Sequence, residues 1–300
     1  MASVALTLLA VLQVGPAWVE DSVPDVLLDV EVRSVAVTPD GSTWFGVPDR
    51  GLAWFDGSQV RWVSPGDGFT PEGVSDLLVD RSGQLWAVGL GGYSVLGGSG
   101  WIGSPSTGPL TPRVVFTADE DPSTGAIWLS GTEGAARWLE GDWTVFDERA
   151  GLPHAVVHAA HTDMAGVTWF ACRRGLARLG PSGLEILFPE LNFRSIVESG
   201  DGELWFGTSD GVLNWNGLEW THDLRGLTVY PRLVATDGSI WAGSASSGVY
   251  RYWRGSWHPV SLTARFLGAE VFDLDEALDG SIWIATSAGV IRLRSAEANG

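Results

Sequence analysis

One short phrase recurs through the chain and constrains its fold more than any other feature. It runs Gly, one residue, an apolar residue or Thr, Trp, then a small or apolar stretch: GSTWFG, GQLWAV, GAIWLS, GVTWFA, GELWFG, GSIWAG and GSIWIA. The tryptophans are Trp44, Trp86, Trp128, Trp169, Trp205, Trp241 and Trp283, spaced by 42, 42, 41, 36, 36 and 42 residues. Self-similarity at such a period is the mark of a propeller or solenoid.

Each unit reads as four strands. A short apolar run such as Val74–Val79 comes first. A turn of the type Asp80-Arg81-Ser82-Gly83 follows; Gly accepts positive φ there and Asp can bond its own backbone. The second strand carries the anchor Trp. In the fifth unit, Thr208-Ser209-Asp210-Gly211 leads to a third strand, and a turn at Asn216-Gly217 leads to a fourth near Trp220. β-branched and aromatic residues dominate and no 3.6-residue period is sustained. The expectation is an all-β, seven-bladed β-propeller with four antiparallel strands per blade. With 17 Trp and 40 Gly, the anchors read as wedges between blades, each burying roughly 150–250 Å².

The ends of the chain point to ring closure. A second Trp follows the anchor by 15 to 18 residues in five units, at Trp62, Trp101, Trp143, Trp220 and Trp257, with Leu184 near that place in the fourth. The seventh unit has room for a third strand, 289–293, but not a fourth. Gly15-Pro16-Ala17-Trp18-Val19 resembles Gly141-Asp142-Trp143-Thr144-Val145, so an N-terminal strand at Trp18 is expected to complete the last blade and remove exposed sheet edges. The propeller is assigned to residues 15–300. Residues 1–14 hold an apolar run, VALTLLAVLQV, too short to span a bilayer. It suits a signal-peptide core, although no Arg or Lys precedes it. The expected location is extracytoplasmic, either periplasmic or secreted, with a cytoplasmic one as the alternative.

Composition narrows the partners. The net charge is −18, and all 18 basic residues are Arg. An acidic chain repels phosphate backbones, so no nucleic-acid partner is expected. The single Cys excludes an internal disulfide framework and a multi-Cys zinc site. No transmembrane helix and no cofactor are expected, and a monomer is.

The segments SIVESGDGELWFGTSDGVLNW (195–215), VFDLDEALDGSIWIATSAGVIRL (271–293) and GLPHAVVHAAHTD (151–163) resemble two-component regulator propeller repeats. That resemblance implies an extracytoplasmic sensor module. The family's usual kinase, transmembrane or DNA-binding segment is not expected after the propeller of residues 15–300, nor is signal output in cis. GLARLGPSGLEILFP (175–189) also resembles the streptogramin lyase repeat. That family's active site implies His, Glu and magnesium near the final blades; here the turn reads ATSAG (285–289) and the last His is His258, so this activity is not expected.

In a propeller, loops entering the first strands and joining second to third strands share one face, the usual ligand site. On it the sequence places Asp49, Arg50, Glu133, Arg149, His154, Arg173, Arg174, Asp210, Arg225, Tyr230, Arg265 and Glu270. Arg33 and Arg194 are expected at matching first-strand positions near the channel mouth. Several Arg on one face favour an anion, since the guanidinium fork matches a carboxylate. A metal site at His154, His158 and His161 is not expected, because strand alternation puts 161 opposite the other two. A calcium loop at Asp273, Asp275 and Asp279 is broken by its spacing. Cys172 reads as a buried small hydrophobe. The leading expectation is a non-enzymatic propeller that binds a small molecule, glycan or peptide. The alternatives are a protein–protein scaffold and a lyase or hydrolase with an unrecognised loop site.

Overall fold

The computed structural model describes residues 17–64, 67–69, 71–103 and 114–296. The apolar segment 1–14, with Gly15 and Pro16 of the closing phrase, lies outside them. The described residues form 28 β-strands and only short 3-10 turns besides. The strands make five four-stranded antiparallel sheets and one eight-stranded sheet. In the larger sheet, two four-strand groups are joined by the single pair Thr208–Val229. The chain is an all-β propeller-type assembly.

Every anchor Trp lies in a second strand and is buried. The anchors wedge between sheets: Trp128 meets Phe170 at 5.5 Å, Trp169 meets Phe206 at 5.4 Å and Trp283 meets Phe45 at 5.3 Å between ring centroids. The last contact packs the final sheet on the first. The turn Asp also serves the anchor. Asp80 and Asp163 accept backbone N–H groups of their own turns, and each takes the indole N–H of its anchor, Trp86 at 2.9 Å and Trp169 at 2.8 Å. Gly207, two residues after Trp205, has no room for a side chain. A Cβ there would lie 2.7 Å from the Cα of Tyr230, in the next inner strand.

Trp18–Asp21 forms a strand that pairs with Gly289–Ser295, in the register Trp18–Ser295 to Asp21–Arg292. The N-terminal strand thus completes the sheet of Val271–Glu276, Ile282–Thr286 and Gly289–Ser295. The Trp18 ring stands edge-on to Trp241 at 4.8 Å.

The first strands surround a central bore, and the edge each turns inward has unpaired N–H groups. Carboxylates of neighbouring inner strands satisfy several of these. Asp76 Oδ2 accepts from Ala118 N–H at 2.9 Å, and Asp273 and Asp275 accept from Val35 and Val37 N–H at 2.9 and 2.7 Å. That explains two of the three aspartates of the calcium-like run. The third, Asp279, caps its turn through Ser281 and meets Arg292 at 2.7 Å. Cys172 is buried in its strand, and burial pushes its thiol up to about 12.

Candidate functional site: the mouth of the central bore

The first strands are not regular. In six of them the register slips, and five of these strands leave unpaired a residue at a matching place: Ser75, Phe116, His158, Arg194 and Phe272. A β-bulge re-aims the side chain of its extra residue, and all five line a cavity of about 220 Å³ at one end of the bore. Arg33 and Tyr230 line it too. These seven residues stand eleven positions before their anchor Trp, or twelve in the third unit, whose turn is one residue longer. In the sixth unit Pro231 has no N–H for the ladder, and the slip falls after it. Both Tyr230 and Arg232 therefore reach the mouth.

Neighbouring members stack in pairs. The Arg33 guanidinium lies 4.7 Å from the Phe272 ring centre, Phe116 lies 5.4 Å from His158, and Arg194 lies 5.8 Å from Tyr230. Arg33 is tied to Glu31. Arg194 and Arg232 have no ion pair among the described residues. Burial first, and then the charges of Arg194, Arg232, Arg173 and His154, push His158 down to about 4. The imidazole is neutral at pH 7, in a positive field that favours an anion.

Below the mouth the bore widens to a cavity of about 560 Å³. Asp76, Thr117, Arg232 and Asp273 line both spaces and form the waist between them. Farther in, the bore is acidic, lined by Asp119, Glu198 and Asp275 together with His161. His161 bridges Asp119 at 2.7 Å and Glu198 at 3.2 Å. Burial raises Asp76 to about 6 and Asp273 and Asp275 to about 7.

Of the residues singled out in the sequence, the structure brings Arg33, Arg194, Tyr230 and Glu270 together at the mouth. Asp49, Arg50, Arg173, Arg174, Asp210, Arg225 and Arg265 are exposed, and none lines the cavity. Arg50 lies over Trp62, Arg265 pairs with Asp29, and Asp210 accepts the Gly226 N–H at 2.8 Å. His154 closes a local turn by accepting the Val156 N–H. The expected alternation of the three histidines is corrected here. The strand begins at Val157, and the bulge turns His158 inward, so His158 and His161 both face the bore. Among the described residues no group of three His, Cys, Asp or Glu could hold a metal ion. Ser75, Phe116, Phe272 and Arg232 escaped the sequence reading. The constant distance to the anchor was the available signal for the first three.

Residues 187–210 match the model of the two-component regulator propeller. The resemblance read in the sequence holds. No curated protein matches the chain. Among solved structures, it is similar to the extracellular domain of a hybrid two-component system from B. thetaiotaomicron, with TM-score 0.76 and 17% identity over 94% of this chain and 42% of that one. This chain thus spans less than half of that structure. A streptogramin B lyase gives TM-score 0.71 and 18% identity over 92% of this chain and 97% of that one. Virginiamycin B lyase from Staphylococcus aureus gives 0.70 and 16% over 92% and 98%. At these identities the likeness is one of fold. Among the described residues, no helix is long and apolar enough to cross a membrane.

Proposed function

We propose that the chain is a non-enzymatic, sensor-type propeller of seven blades that captures a small anionic molecule at the mouth of its bore. Seven anchor tryptophans support the blade count, with the eight-stranded sheet taken as two blades. The observation that carries the ligand reading is the pair Arg194 and Arg232, two guanidiniums facing one cavity without a carboxylate of their own among the described residues. The volume of about 220 Å³ is below the roughly 300–1,000 Å³ of drug-sized sites, which favours a small molecule over a glycan or a peptide. The similarity to an extracellular sensor domain and the apolar segment 1–14 support a place outside the cytoplasm.

A thermal-shift screen of small carboxylates and phosphates tests this reading. A ligand at a hundred times its Kd stabilises by about 2.7 kcal/mol. Arg194→Ala and Arg232→Ala are expected to abolish the shift while the unliganded proteins stay folded. Hits that persist unchanged in both variants overturn the site. Binding through a rim, insensitive to either change, supports the scaffold alternative.

A further inference from the structure

The mouth carries a second kind of charge at its floor. Asp76 and Asp273 form the waist with Thr117 and Arg232. Their Oδ2 atoms hold the N–H groups of Ala118 and Val35, and Asp273 Oδ1 accepts from Leu274 N–H at 2.9 Å. Neither carboxylate makes an ion pair among the described residues. Arg232 acts on both through its charge but lies outside ion-pair distance of each. On the same cavity, the Nε of Arg232 and the Nε2 of His158 are buried without a partner.

The cavity therefore holds unspent donors and unpaired carboxylates together. Burying a carboxylate with no cation is expensive, and the upward shift of both aspartates is the sign of that cost. An anion alone would answer the guanidiniums and be repelled by the floor. A cation alone would answer the floor and be repelled by the rim. One molecule bearing both charges answers both.

We propose that the mouth takes a zwitterion of amino-acid size, its carboxylate on Arg194 and Arg232 and its protonated amine on Asp76 and Asp273. The ligand's side chain packs among Phe116, Tyr230 and Phe272, which line the same cavity. This assignment rests on the reading of the mouth as an anion site and adds the amine.

The test uses the whole chain and the twenty standard L-amino acids as probes. Each is titrated beside its matched acid, with hydrogen in place of the amine, and its matched amine, with hydrogen in place of the carboxyl. At least one amino acid is expected to bind at least tenfold more tightly than either analogue. Asp76→Asn keeps an acceptor for Ala118 and is expected to weaken the amino acid at least tenfold while leaving its matched acid as tight or tighter, since the floor then repels it less. Arg194→Ala is expected to weaken both. Should Asp76→Asn fail to fold, Asp273→Asn and the comparison of ligands on the unaltered protein decide the matter. Matched acids that bind as tightly as amino acids, with the dependence on Arg194 intact, overturn the zwitterion and leave the anion site standing. Matched amines that bind regardless of Arg194 overturn the anion site. No binding by any of the probes overturns the zwitterion and leaves the anion site to the phosphates of the thermal-shift screen.

Discussion

His161 joins three neighbouring inner strands, and replacing it with Leu shows what the joint is worth. Its side chain is 14% exposed, with Asp119 on one ring nitrogen and Glu198 on the other. Burial alone would push the imidazole toward its neutral form. The charges and hydrogen bonds of the two carboxylates reverse that and raise it to about 10. His161→Leu removes the cation and strands Glu198, 8% exposed, while Asp119, 36% exposed, keeps water. Breaking a buried pair in this way costs about 3–5 kcal/mol. Unfolding entropy near 2.1 cal/mol/K per residue gives about 0.6 kcal/mol/K for this chain, so Tm is expected to fall by about 5–8 °C. The folded pKa lies above the unfolded one, so the native state retains a proton that the unfolded chain releases. The stabilisation is complete below about pH 6.5 and fades as pH rises through about 10. Denaturant unfolding of both proteins at pH 6, 8 and 10.5 measures the gap, and an NMR titration of the imidazole measures its midpoint. A loss under 1 kcal/mol at pH 6, a gap that does not close by pH 10.5, or a midpoint near 6.5 refutes the reasoning.

Trp18→Ala is expected to destabilise by about 2–4 kcal/mol, below the full cost of a core Trp because the ring is half-buried. It should also speed hydrogen exchange at Arg292–Ser295, the partners of that strand; unchanged stability and exchange would show that the seam is held elsewhere. Asp76, Asp273 and Asp275 have raised pKa values and hold protons in the folded state that the unfolded chain releases between about pH 4 and 7. Stability is expected to fall as pH rises across that window, by about 1.4 kcal/mol per pH unit for each proton retained. Asp275→Asn should flatten that profile, and an identical slope in the variant counts against it.

The propeller was legible because its repeat is written in residues whose packing roles cannot be traded. A Trp with a turn Asp before it and small residues after it specifies a wedge, its polar partner and the close approach of the next strand. The closing strand was legible for the same reason, through the likeness of Trp18 to Trp143. The site was legible only in part. Arg33 and Arg194 showed by position and type, while Phe116 and Phe272 in the same ring carry no charged or polar group to mark a site by type. Strand alternation misled at His158, because a bulge is set by how a strand meets its neighbours and not by its own pattern. The pairing of His161 with Asp119 and Glu198, 42 and 37 residues away, depends on which strands the ring brings side by side.

The bulges separate what holds the molecule together from what it could recognise. Each sector delivers a side chain to the opening, the sixth delivering two, from positions that contribute little to the wedges behind them. Those letters could be rewritten a codon at a time, as the wards of a lock are recut without recasting its barrel. Related chains could thus diverge in taste while remaining superimposable in frame.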